Sequence, residues 1–583
     1  MMTWSLKELY TSFDSAEFKA DMEGLEKEIR RFTAWAKENF ASRDRETEMI
    51  EEALRILQGM ERFYKLQSFA NLSLSANSED ADAMKSLDKL QRMLAELSEP
   101  NFLFDEYVSD TADLDACAKA SPLIAGHIFV LKETKEKSRY RLSEKEEALL
   151  AKLRITGSAA WAKMKEQLVS TLNIDVSIDG AVKTMSLSAV RNLARDERAA
   201  VREAAYHAEL DGYKNVEKAT AAALNAIKGE AITTARLRGY ASPLEMTVLN
   251  SRMDMATLEA MLGVMRDYLP MFHTYYKKKA KLLGYEGGLP WHGIMAPVGS
   301  ASTRFTIEEA RDFIVTHFNT FSEKLGSFAR MAFDKRWIDV YPRNGKRGGA
   351  FCATVPELRE SRILTNFDGT LDATLTLAHE LGHAYHGYCL KNASLLNKRY
   401  PMPLAETAST FCETLVSRAA LKAADKDGAL AIRENDLAGN AQVIVDIYSR
   451  FLFEDELFRR REKGPLTADE LNALMTECQK EAYGDGLDHN VLNPGMWINK
   501  SHYYNAENNY YNFPYAYGQL FALGLYAQYL EEGSAFPAKY DAMLAETGRN
   551  DAAAVGRMMG IDVTSKDFWA SSMEIIKREI EAL

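Results

Sequence analysis

The sequence is poor in cysteine, in proline and in long apolar runs, and it lacks any excess of basic residues. Five cysteines stand among 583 residues, scattered at 117, 352, 389, 412 and 478 with no Cys-x-x-Cys pair. An odd, dispersed set argues against a disulfide framework and for a reducing compartment. No stretch approaches the roughly 18–20 consecutive apolar residues that a membrane span requires. The start, Met1-Met2-Thr3-Trp4-Ser5-Leu6-Lys7-Glu8, has neither the basic opening nor the apolar run of a secretion signal. The expected location is therefore the cytoplasm, with no membrane partner. Lysine and arginine total 72 against 84 aspartates and glutamates, a formal charge of −12. Phosphate binding rests on basic excess, so a nucleic-acid partner is not expected. The local cluster Tyr275-Tyr276-Lys277-Lys278-Lys279 reads as a solvated helix face with extended lysine stems.

What is present is a globular composition, 46% hydrophobic and 27% charged. The length exceeds one ordinary core, so two or more lobes are expected. Most of the chain reads as helix. Segments 20–65, 190–235, 255–283, 305–332 and 405–460 carry apolar residues at three- and four-residue spacing, and the 14 prolines gather at junctions. Three stretches break the rhythm. Ile174–Ile178 and Ala181–Met185 flank Asp179-Gly180, the pattern of a small hairpin. Residues 284–304, with five glycines and two prolines around Trp291, read as an irregular connector. Residues 341–370, with Asn344-Gly345, Gly348-Gly349 and two short β-prone runs, predict a small sheet before the helix that follows. A boundary near residue 190 is expected, separating a helical N-terminal lobe (1–190) from a catalytic domain (191–583).

That helix carries His379-Glu380-Leu-Gly-His383. Residues four apart share a helix face, so both imidazoles can aim at one ion. Glu380, next to the first, can reach a water at the ion without binding the ion itself. Zinc there acidifies water and polarises a carbonyl, and a glutamate base moves the proton to the leaving amine; this is peptidase chemistry. Two histidines on an ordinary helix are the bland alternative, so a third ligand decides. His386 shares the face, but three ligands from one straight helix suit a tetrahedral ion poorly, and a place supporting the ligands or against the substrate fits it better. The metzincin pattern needs Gly and His where His386 and Cys389 stand, which excludes it. A carboxylate from a second helix is the other solution. Pro403 suits a helix start, and Glu406 and Glu413 lie two turns apart beyond it. Spacing alone leaves the choice between these two glutamates open.

Residues 501–517 hold six tyrosines and His502. Such groups can donate to an oxyanion on a scissile carbonyl, although a buried aromatic cluster with satisfied tips is the commoner fate of such a run.

Assembled, these stretches resemble the thimet oligopeptidase and oligoendopeptidase F family of zinc metallopeptidases, above all its oligoendopeptidase F branch. The resemblance rests on Gly345-Lys-Arg-Gly-Gly349-Ala350-Phe351, Thr376-Leu-Ala-His379-Glu-Leu-Gly-His383-Ala-Tyr-His386, Ala405-Glu406-Thr-Ala-Ser-Thr-Phe-Cys-Glu413, Tyr483-Gly-Asp485, and His502 followed by Tyr511-Asn-Phe-Pro-Tyr515-Ala-Tyr517-Gly518. It implies a mainly helical fold of the gluzincin type, two lobes enclosing a deep channel, with a small β-sheet beside the zinc helix. It implies one zinc ion held by His379, His383 and Glu406, with Glu413 as support. It further implies that Glu380 is the general base and that His502, Tyr511 and Tyr515 stabilise the tetrahedral intermediate. Gly349, Ala350 and Phe351 would pair with a peptide backbone as an added strand, with Tyr510 and Tyr517 also facing the substrate. Gly293, in Trp291-His292-Gly293, stands where the family carries an acid, and Asn505–Asn509 lengthens the link between His502 and the tyrosines. The implied activity is endopeptidase action on short unstructured oligopeptides. A carboxy-dipeptidase is the close rival, an aminopeptidase lacks its amine-gripping segment, and a non-catalytic zinc-bearing scaffold is the reading from another class. Oligomeric state is not written in the sequence.

Overall fold

The computed structural model describes residues 2–299 and 304–583; Met1 and positions 300–303 of the expected connector lie outside the described residues. Helix dominates and the sheets are small. No helix among the described residues is long and apolar enough to cross a membrane. All five cysteines are free.

The long predicted helical segments resolve into capped pieces. Segment 20–65 holds Ala16–Asn39 and Glu46–Gly59; segment 305–332 divides at Ser322 into Ile307–Phe321 and Glu323–Asp334. Ser322 caps the second of these by accepting the Leu325 N–H at 3.1 Å. Periodicity carries straight across such a break because the apolar stripe resumes in phase, so only the cap marks it.

The chain forms two compact units, each assembled from three stretches. The first comprises Met1–Arg139, Thr303–Ala419 and Gln528–Gly560; the second comprises Tyr140–Ser302, Ala420–Ala527 and Ile561–Leu583. The expected boundary near residue 190 falls inside the second unit.

The second unit contains the hairpin. β1 (Asn173–Ile178) pairs antiparallel with β2 (Ala181–Ser186). Asp179 and Gly180 both have positive φ, 54° and 79°, the backbone a two-residue hairpin turn demands. Ile174, Val176 and Ile178 alternate inward and join a core with Leu224, Ile227, Leu457 and Trp497.

In the first unit, β3 (Ile338–Asp339), β4 (Phe351–Val355) and β5 (Glu360–Leu364) form a sheet in the order β3-β5-β4. β5 is central, antiparallel to β4 and parallel to β3. Val355 and Leu364 join a core built on Phe18, Leu25, Phe32 and Phe69. The loop before β4 is tied down by Asp339, which is buried and accepts ion pairs from Lys346 at 2.7 Å and Arg343 at 2.6 Å. Gly387 of the motif helix faces β4 closely: a Cβ there would meet Thr354 Oγ1 at 2.8 Å.

Candidate metal centre

The motif helix runs Leu371–Cys389. Thr370 caps it by accepting the Ala373 N–H at 3.1 Å, and Asp368 braces the cap by accepting from the Thr370 N–H at 3.0 Å and hydroxyl at 2.7 Å. Leu375, Ala378, Leu381, Ala384 and Tyr385 bury one side. His379 and His383 lie one turn apart, ring centroids 4.9 Å apart.

Gly382 sits between them, and its lack of a side chain matters. A Cβ there would stand 2.5 Å from the carbonyl oxygen of Ala408 and 2.6 Å from Cα of Ser409. The motif helix and the helix Thr407–Ala423 therefore meet backbone to backbone. That contact delivers Glu406. It lies at neither end of a regular helix but between the short turn Met402–Ala405 and the helix Thr407–Ala423, with φ −86° and ψ 0°. Its Oε2 is 3.3 Å from His379 Nε2 and 3.4 Å from His383 Nε2. Ser409 Oγ donates to the same oxygen at 2.8 Å, holding the carboxylate in place.

Glu413 reaches a different atom. Its Oε2 accepts from His379 Nδ1 at 2.9 Å. A proton fixed on Nδ1 leaves the Nε2 lone pair free for an ion. The two glutamates that spacing could not separate thus differ in role: Glu406 faces both Nε2 atoms, Glu413 only the far side of one ring.

The donor set fits a metal. One ligand atom each from His379, His383 and Glu406 all lie within 4.8 Å of one another. Two imidazoles and a carboxylate are the set that divalent zinc takes when one position is kept open. With no ion between them, the same groups pair with one another. Burial opposes charging His379, yet hydrogen bonds to Glu406 and Glu413 lift its pKa to about 10. Burial likewise opposes the Glu406 carboxylate, and the two histidines hold it far below the usual range.

Glu380 is buried at 6% exposure, and its Oε2 has no hydrogen-bond partner among the described residues. Burial pushes its pKa up, against the pull of His379 and His383. Cys352 of β4 is near enough that, after burial, the Glu380 charge also raises its thiol pKa. β4 is an edge strand, hydrogen-bonded on one side to β5. Ahead of it, Gly349 has φ 77°, and its carbonyl accepts from Asn366 Nδ2 at 2.8 Å. Gly349 is exposed, and Ala350 and Phe351 are half-buried.

Three residues expected against the substrate are buried in the core. His386 is fully buried in the first unit, bonded through Nε2 to Thr547 Oγ1 at 2.7 Å and stacked on Tyr400. Burial and then His383 push its pKa down to about 3, so it is a neutral core histidine. Tyr510 is buried, stacks on Phe458 and donates to Asp455 Oδ1 at 3.1 Å. Tyr517 is fully buried against Phe521 and Trp569. In each case packing against a neighbouring ring holds the side chain in the core.

His502, Tyr511 and Tyr515 do come together in the second unit. The rings of His502 and Tyr511 stack at 6.2 Å, and the Tyr515 hydroxyl donates to that of Tyr511 at 3.3 Å. Tyr511 is 38% exposed, so within the aromatic run the accessible rings are distinguished from 510 and 517. Burial, then Arg450 and Lys500, push His502 down to about 2, keeping it neutral. Ser409 and Gly382 were not singled out by sequence reasoning, although each stands inside a motif already marked.

Comparison with known proteins places this arrangement. The family model described as peptidase family M3 matches residues 307–575, and that described as oligopeptidase F matches residues 109–173. Oligopeptidase PepF of Bacillus subtilis is 24% identical over 540 residues, covering 90% of this chain and 79% of that protein. The plasmid-encoded oligoendopeptidase F of Lactococcus lactis is 26% identical over 457 residues, covering 77% and 74%. The crystal structure of oligoendopeptidase-F from Enterococcus faecium shares the fold, with TM-score 0.70 at 19% identity over 97% of this chain and 98% of that one. These matches define a metalloendopeptidase. The chain belongs to peptidase family M3, in its oligoendopeptidase F group. Membership implies a resident metal, and His379, His383 and Glu406 are the residues able to hold it.

Proposed function

We propose that the chain is a zinc-dependent endopeptidase that cleaves internal bonds of short, unstructured peptides in the cytoplasm. The observation that carries this reading is the convergence of two Nε2 atoms and one carboxylate oxygen beside an unpartnered, buried Glu380 oxygen. Zinc, when bound, supplies Lewis acidity that acidifies water and polarises the scissile carbonyl. The remaining work belongs to the chain. His379 and His383 offer Nε2, Glu406 offers Oε2, and Glu413 and Ser409 fix the orientation of that set. Glu380 takes a proton from the attacking water at Oε2 and gives it to the leaving amine. Its raised pKa suits both halves of that transfer. The edge strand β4, with Gly349, Ala350 and Phe351, offers backbone groups to an extended peptide. His502, Tyr511 and Tyr515 are assigned to the developing oxyanion on the strength of the family resemblance and of their accessible, mutually bonded tips.

Glu380→Gln tests the reading. Zinc content should match wild type while hydrolysis of a quenched peptide blocked at both ends falls about 10³-fold or more. Retained turnover would refute the base assignment. Blocked ends separate an endopeptidase from a carboxy-dipeptidase, because only the former cuts such a peptide.

A further inference from the structure

The second unit holds a cavity of about 340 Å³ whose wall runs against the charge of the chain. Arg191, Arg195, Arg202, Arg450 and Lys500 line it, opposed by only Glu209 and Asp446. That is an excess of three positive charges within a chain of net charge −12. Such a concave cationic surface attracts and concentrates anions.

The wall is also incompletely bonded. Arg202 is 3% exposed and donates from Nη1 to the carbonyls of Asp196 at 2.8 Å and Glu197 at 2.9 Å, yet its Nε has no partner among the described residues. Arg450 pairs with Asp446, and its Nε is likewise unpartnered. Nδ1 of His292, 8% exposed, completes a set of three nitrogens. Three acceptors stand with them: Oδ1 of Asp446, of Asn493 and of Asn499. A buried polar atom left unbonded is costly, and native folds rarely gather several in one place. Six such atoms belong to residues that line this one cavity, a concentration that points to something polar.

Two further features agree. The helix that supplies the far wall contains a π-helical turn at Gln442–Asp446, and both residues at its ends line the cavity; such turns concentrate at functional sites. Burial, and then Arg450, push Lys500 down to about 7, a cost that a bound anion would remove.

We propose that this cavity binds a small carboxylic acid that also carries O–H or N–H donors. The carboxylate bonds to the free Nε groups of Arg202 and Arg450 and to Lys500, and the donors satisfy Asp446, Asn493 and Asn499. Two sources share this chemistry: a free hydroxy acid, and the carboxy-terminal residue of a peptide. The binding claim does not depend on Glu380 or on turnover.

Isothermal titration of the zinc-loaded full chain with L-malate, glycyl-phenylalanine and glycyl-phenylalanine amide tests it. At least one free acid should bind, and Arg202→Met should weaken that binding at least tenfold. Since Arg202 is buried, the double variant R195M/K500M, in which Arg195 is exposed, provides the same test with little risk to folding; circular dichroism should match wild type. Malate binding identifies a free acid as the source. Binding of the dipeptide but not its amide identifies a peptide terminus. If no probe binds wild type, or if the double variant binds as tightly as wild type, the proposal is overturned.

Discussion

Replacing Gly382 by alanine adds one methyl group at the point where the two ligand-bearing helices touch. The new Cβ would lie 2.5 Å from the Ala408 carbonyl oxygen and 2.6 Å from Cα of Ser409. Both are main-chain atoms, so no side chain can rotate away. Against an ordinary van der Waals separation of about 3.4 Å, the helices must part by about 0.9 Å. Metal–ligand distances tolerate only about 0.2 Å, so Glu406 and the two Nε2 atoms could no longer serve one ion without a compensating shift. The packing penalty alone should be about 1–3 kcal/mol. Zinc affinity, measured by competition with a chromophoric chelator, should fall at least tenfold, and the apo protein should unfold at lower temperature. Gly387→Ala on the same helix is the control, because its nearest neighbour is a threonine hydroxyl at 2.8 Å that can turn aside. G382A with wild-type affinity and stability would refute the argument that bare backbone contact sets the ligand geometry.

Glu413→Ala removes the acceptor at His379 Nδ1, and zinc affinity should fall about 10–100-fold by chelator competition, with the fold intact. Tyr515→Phe should lower kcat about 10²-fold with KM little changed, whereas Tyr517→Phe, deep in the core, should leave the kinetics alone. Glu357, whose carboxylate oxygens are buried without hydrogen-bond partners among the described residues, has its pKa raised by burial from 4.5 to about 7. Nearby Glu61 adds to the rise, while Lys398 and Lys65 oppose it. The native state therefore holds a proton that the unfolded chain releases near pH 4.5, and stability falls as pH rises through that window. Glu357→Gln should unfold like wild type in urea at pH 5 and be more stable at pH 8, by at most ~3 kcal/mol; equal midpoints at both pH values would contradict it.

The hairpin and the helix class were legible because each depends on residues near in sequence. Asp179-Gly180 dictates a turn, and three- and four-residue spacing dictates helix. The pair His379 and His383 was legible for the same reason, since one helical turn sets their geometry. Glu406 against Glu413 was not, because the choice rests on how closely two helices approach, and a single glycine controls that. His386, Tyr510 and Tyr517 carry the same chemistry as the accessible members of their motifs, and only packing against Tyr400, Phe458 and Trp569 separates them. The cationic cavity leaves no local signal at all: its residues are drawn from stretches between positions 188 and 500.

The way each unit is pieced together bears on how the molecule is made. The first unit takes its last stretch from Gln528–Gly560, and the second takes its last from Ile561–Leu583. Emerging from a ribosome, the N-terminal helices meet partners that arrive some hundreds of residues later, so neither unit can finish folding before its last stretch has been made. The lock between His386 and Thr547, which pins the end of the motif helix, also waits for that late stretch. A fragment released early would carry the histidines and Glu380 without the frame that steadies them. The frame around the motif helix is thus finished only once the stretch that supplies Thr547 has been made.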